Sequence, residues 1–116
     1  MSDVRTLKAQ DIHFPEYHQV YHVKQLGNFI DYNTRNMDNA ARNRLECLMK
    51  DMDTHGMVHP IIISYNAYNV SVGHQRLWYA VQRGYTHIDC YHIPDQQSWE
   101  KVFSYTQSND YWQKYT

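Results

Sequence analysis

The stretch that most constrains this chain is Val70-Ser71-Val72-Gly73-His74-Gln75-Arg76-Leu77-Trp78-Tyr79-Ala80. An apolar, β-branched run stops at Gly73. A helical pattern begins at once, runs to Arg83 and meets Gly84. A strand that feeds a helix through a glycine leaves backbone N–H groups unpaired in the first helical turn. Those groups and the positive end of the helix dipole favour an anion. Arg76 falls in that turn and brings a planar fork suited to phosphate or carboxylate. The junction therefore predicts a phosphate site at Gly73, His74, Gln75 and Arg76. His74 suits a catalytic general base or a phosphate contact, because histidine titrates near neutral pH. It equally suits a capping residue.

Periodicity places the other elements around this junction. Residues 1–19 are polar and broken by Pro15, and are expected to form an extension with no more than a short turn or helix over Val4–Ala9. Val20–Leu26 alternates loosely and predicts a first strand. Asp38 or Asn39 can cap a helix from Ala40 to about His55. Its stripe of Ala41, Leu45, Leu48, Met49 and Met52 recurs at helical period, and Gly56 stops it. Ile61–Ile63 predicts a buried strand, with Asn69–Val72 as its partner. Leu77, Ala80 and Val81 are expected on one side of the focal helix. Ile88–Ile93 predicts a third core strand, ended by Pro94. Asp95 can cap a last helix over Gln96–Thr106 with a stripe of Trp99, Val102 and Phe103.

The 116 residues suffice for one domain that buries roughly two thirds of its unfolded surface. A net charge of -1 supplies no global positive field toward nucleic acid or anionic lipid, which leaves only a local basic groove open. No stretch approaches the roughly 20 apolar residues of a membrane span. Met1–Arg5 lacks the apolar core of a signal peptide, so a cytoplasmic chain is expected. Cys47 and Cys90 stand outside any C-x-x-C pattern and are expected as reduced core thiols. The histidines form no H-E-x-x-H motif, so no structural metal is expected. Mg²⁺ carried by a nucleotide fits better, with Asp31, Asp38 and Glu46 as nominees. With eleven tyrosines in the chain, the aromatic tail predicts a partner surface over Trp99, Tyr111, Trp112 and Tyr115.

Four motifs, in order, resemble the ParB/sulfiredoxin-like domain family. Tyr32-Asn33-Thr34-Arg35 is similar to the family's Y-N-P-R turn, with Thr34 in place of proline. Gly56-Met57-Val58-His59-Pro60-Ile61-Ile62-Ile63 is similar to its G-L-x-x-P-I-x-V join. Tyr68 to Arg76 is similar to its Y-x-x-x-x-G-x-x-R signature, followed by the small residue Ala80. Gly84-Tyr85-Thr86-His87-Ile88-Asp89-Cys90 is similar to its G-x-x-x-V-x-V strand. The resemblance spans about Val20 to Pro94. It implies a compact α/β (α+β) domain, a small mixed sheet flanked by helices, whose G-x-x-R turn holds nucleotide phosphates. Arg35, in a loop that the family places near this turn, is implied as a second anion contact. The chain divides as a 1–19 extension, a 20–94 body and a 95–116 helix with an aromatic tail.

The family's activities do not carry over together. His74 stands where sulfiredoxins have the catalytic cysteine. Val72 replaces the aspartate of the D-G-H-T-R motif of the free serine kinases, and with it the carboxylate of metal-assisted phosphoryl transfer. The stretch after Pro94 is expected to be too short for the helix-turn-helix region of ParB partition proteins. The chain looks most like the standalone members called ParB-like nucleases, found in phages and mobile elements. The resemblance thus implies a nucleotide- or phosphate-binding domain of phage or mobile-element DNA metabolism, taking ATP, ADP or CTP with Mg²⁺. Two alternatives stay open. One is a catalytically inactive fold acting as a protein-binding module or inhibitor through its aromatic surface, with DNA and a homodimer as further partner calls. The other is a metal-dependent nuclease. Whether any phosphoryl transfer or hydrolysis survives is also open.

Overall fold

Ile61-Ile62-Ile63 is buried on both of its faces, and the architecture follows from that run. A strand covered on both sides reads as continuous apolar sequence, with successive side chains pointing to opposite faces. The computed structural model describes residues 4–113, with the side chains of Trp112 and Gln113 excepted. Within it the strands are β1 (Thr6–Leu7), β2 (His18–His22), β3 (Ile61–Ile63), β4 (Val70–Val72) and β5 (His87–His92). The helices are α1 (Asn39–His55), α2 (His74–Gln82), α3 (Gln96–Thr106) and α4 (Asn109–Gln113).

The sheet is mixed and β5 is its hub. β5 runs parallel to β1 and β3 and antiparallel to β2, while β3 pairs antiparallel with β4. Register sets Ile61 against Cys90 and Ile62 against Tyr91. Ile61, Ile63, Val70, Ile88 and Cys90 face a core shared with Met52 of α1 and Leu77, Tyr79 and Ala80 of α2. Ile62, Tyr91 and Ile93 face the opposite way, against Phe14 and Val102 of α3. The α+β single domain with a flanked mixed sheet, expected from the sequence, is the one observed. No helix among the described residues is long and apolar enough to cross a membrane.

The helix boundaries follow from local chemistry. Asp38 caps α1 by accepting from Ala41 N at 2.7 Å, and Asp95 caps α3 by accepting from Ser98 N at 2.8 Å. Gly56 ends α1 at φ 79°.

Several expectations are corrected. Residues 1–19 hold β1, paired with β5 some eighty residues away, and the start of β2. The first long strand ends at His22, and Val23–Gln25 is a 3-10 turn rather than extended chain. Val81 and Phe103, expected on buried stripes, are 39% and 42% exposed, Val81 in the last turn of α2 and Phe103 on the open cleft. Cys47 is exposed on α1, one position before the half-buried Leu48. Cys90 is buried as expected, and burial pushes its thiol up to about 12.

Helices α1 and α2 are tied at the surface. Arg83 donates from Nε and Nη2 to the two oxygens of Asp53 at 2.9 Å each, and Tyr79 Oη donates to Oδ1 at 2.7 Å. The bonds from Arg83, then Tyr79, hold the Asp53 carboxyl down to about 2. A depressed carboxylate stabilises the fold above its unfolded value of about 4 and loses that contribution as pH falls through the folded value. Asp53→Asn is expected to lower the melting temperature slightly at pH 7, since the pair is exposed. The gap from wild type should close between about pH 4 and pH 2, as read by thermal denaturation across that range.

Candidate functional site

β3 begins at Ile61, so the carbonyls of His59 and Pro60 lie just outside the sheet ladder. Buried carbonyls without a donor are costly, and the proline itself has no N–H to offer. Arg76 answers this need from across the core. Its Nη1 donates to His59 O at 2.8 Å and to Pro60 O at 3.0 Å, and its Nη2 lies 3.4 Å from Tyr111 Oη. Arg76 is 6% exposed. The arginine expected to reach outward for phosphate thus directs its fork at the α1–β3 join. Its positive charge remains beside the first turn of α2.

Gly73 makes this approach possible. It holds φ 102° and ψ 29°, a left-handed conformation that favours glycine. A Cβ there would meet Ile61 Cγ2 at 2.6 Å and the Nε and Nη2 of Arg76 at 3.1 Å. Gly73 O accepts from Leu77 N at 3.0 Å, which opens α2. No side chain among the described residues caps this N-terminus. Its first-turn N–H groups are the anion-binding feature read from the sequence.

A cleft of ≈ 450 Å³ opens against this turn. Gly73, His74, Gln75 and Arg76 are among the residues that line it. Tyr32 and Leu48 line it too, as do Phe103, Thr106, Gln107 and Tyr111 from the C-terminal helices and the turn between them. His74 is half-buried and Gln75 is exposed. The structure thus brings the four junction residues to one cavity. Arg35 is not among the lining residues. Its guanidinium lies 6.0 Å from the ring centroid of Tyr32, which is.

Asp31 and Asp38 are engaged locally, Asp31 accepting from Asn33 N and Asp38 capping α1, while Glu46 is exposed on α1. Among the described residues no group of three or more His, Cys, Asp or Glu side chains comes together.

Behind the cleft lies a network that the sequence reading missed. His59 is 1% exposed, its ring stacked on Tyr111 with centroids 3.8 Å apart at 10°. Its Nε2 is 2.9 Å from Tyr111 O, and its Nδ1 is 3.6 Å from Asp11 Oδ2. Tyr105 Oη donates to the same Asp11 oxygen at 3.1 Å. Tyr111, expected on a partner surface, is instead 5% exposed and part of this network. Trp99 is half-buried and stacks on Phe103. The side chain of Trp112, and all of Tyr115, lie outside the described residues. The one signal available was the His59-Pro60 pair, whose proline marks carbonyls in need of a donor.

Among known proteins, no family model matches the chain, and no curated protein matches it. Several solved structures resemble it, and two of them are ParB proteins. One is the C-terminally truncated chromosome-partitioning protein ParB from Caulobacter crescentus complexed with CTP-gamma-S. It is 19% identical over 80% of this chain and 54% of that one, at TM-score 0.48. The other is a Pnob8-like ParB-N domain, 21% identical over 76% of this chain and 36% of that one, at TM-score 0.46. The chain spans about half the length of the first and a third of the second. At such overlap the reading of function comes from the cleft.

Arg76→Ala would strand two buried carbonyls and open a void. It is expected to cost about 3 kcal/mol of stability, with Arg76→Lys recovering only part, since an ammonium lacks the fork that spans both acceptors. Urea denaturation measures this.

Proposed function

We propose that this chain is a nucleotide- or phosphate-binding domain. The observation that carries the reading is the ≈ 450 Å³ cleft at the N-terminus of α2, whose cap residue Gly73 has no side chain, with the Arg76 charge beside it. Its volume falls within the range of roughly 300–1,000 Å³ typical of small-molecule sites. The anionic group sits on the first-turn N–H groups of His74 and Gln75, where the helix dipole and Arg76 both favour it. The rings of Tyr32 and Phe103 offer apolar walls to the rest of the ligand. Arg76 acts chiefly as a buried charge and as the brace that sets the turn. His74, in the cavity wall, is the candidate for contact with the ligand or for proton transfer. CTP, ATP and ADP, each with Mg²⁺, are the ligands to try. A setting in phage or mobile-element DNA metabolism rests on the motif resemblance.

Because Arg76 is structural, the binding test belongs at Gln75, which is exposed. Gln75→Glu puts a carboxylate in the first turn of α2, where it suits the helix dipole but opposes an anion. Calorimetry with CTP, ATP, ADP and pyrophosphate, with and without Mg²⁺, is expected to show one saturable site in wild type. Gln75→Glu should weaken it about tenfold, or about 1.4 kcal/mol. No binding by folded wild type, or equal binding by both proteins, contradicts the reading.

A further inference from the structure

The C-terminal segment is part of the cleft wall. After α3 ends at Thr106, Gln107 N donates to Ser104 O and Ser108 N donates to Tyr105 O, which closes a turn. Ser108 Oγ then donates to Tyr105 O and accepts from Tyr111 N, so one hydroxyl joins the turn to α4. α4 is five residues long, far below the roughly 12–15 at which an isolated helix becomes marginally stable. Its order must come from docking, and Tyr111 is the described side chain that docks it. The ring of Tyr111 lies on His59, its carbonyl faces His59 Nε2, and its hydroxyl faces Arg76 Nη2. Tyr111 and Gln107 also line the cavity.

We infer that residues 107–113 form a strap whose docking is thermodynamically linked to ligand binding. Tyr111 is the positioning residue, on the reading that this cleft holds a phosphate-bearing ligand. The docked strap completes the wall and helps fix Arg76 behind the α2 turn, so a ligand in the cleft binds the docked state better than the undocked one. A ligand with such a preference shifts the population toward docking, and docking raises its affinity by the same factor. Segments of low local stability next to a site are the ones available for this coupling.

Hydrogen exchange read by mass spectrometry, on full chain with and without CTP and Mg²⁺, tests the linkage, with pyrophosphate as a second probe. Either probe is expected to slow exchange over residues 107–113 several-fold, while exchange in β5 stays constant. Tyr111→Ala should speed exchange there in the free protein and weaken binding about tenfold. Tyr111→Phe keeps the stacked ring and loses the hydroxyl at Arg76. It should restore most of the protection and bind within about threefold of wild type, which also covers the case in which the alanine variant fails to fold. Wild type that binds either probe with unchanged or faster exchange over 107–113 overturns the strap and leaves the cleft reading intact. Wild type that binds neither probe overturns both.

Discussion

A buried guanidinium holds the cleft end of this molecule together. Arg76 comes from the first turn of α2, yet its donors serve the join between α1 and β3 and approach the hydroxyl of α4. A charge taken out of water must be hydrogen-bonded to be tolerated. That requirement fixes the α1–β3 join, the α2 turn and the last helix relative to one another. Gly73 is the other half of the arrangement, because a side chain there would collide with Ile61 and crowd Arg76. The strand–glycine–helix junction is therefore a packing solution at the very turn proposed to hold an anion. The residues of that first turn, His74 and Gln75, line the cleft.

This changes the chemical role of the residues around the turn. A first-turn arginine read in isolation looks like a ligand. Seen with His59 O and Pro60 O, it braces the site and supplies charge from behind. On the proposed reading, contact with a ligand falls to the backbone N–H groups of the turn and to His74 and Gln75, with Tyr32 and Phe103 also lining the cleft. The network of Asp11, His59, Tyr105 and Tyr111 carries the constraint from the cleft into the N- and C-terminal segments.

What the sequence made legible is what local chemistry decides. α1 could be read because Leu45, Leu48, Met49 and Met52 share a stripe between a capping Asp38 and a terminating Gly56. α3 and the β3–β4 pair were legible for similar reasons. β1 was not, since two residues carry no period and their partner lies across the chain in β5. The four cleft residues of the junction were legible as a group, because strand, glycine and helix adjoin in sequence. The direction of the Arg76 fork was hidden, because its acceptors are set by tertiary packing. Tyr111 was misplaced for the same reason. A tyrosine in a polar, aromatic tail looks exposed until His59 is known to lie beneath it.

The most direct test of the account is a crystal structure of the protein soaked with CTP and Mg²⁺. The account predicts phosphate oxygens within hydrogen-bond distance of the backbone N–H groups of His74 and Gln75, with Arg76 still on the carbonyls of His59 and Pro60. Phosphate density elsewhere on the surface, or Arg76 withdrawn from those carbonyls to grip the ligand, would contradict it.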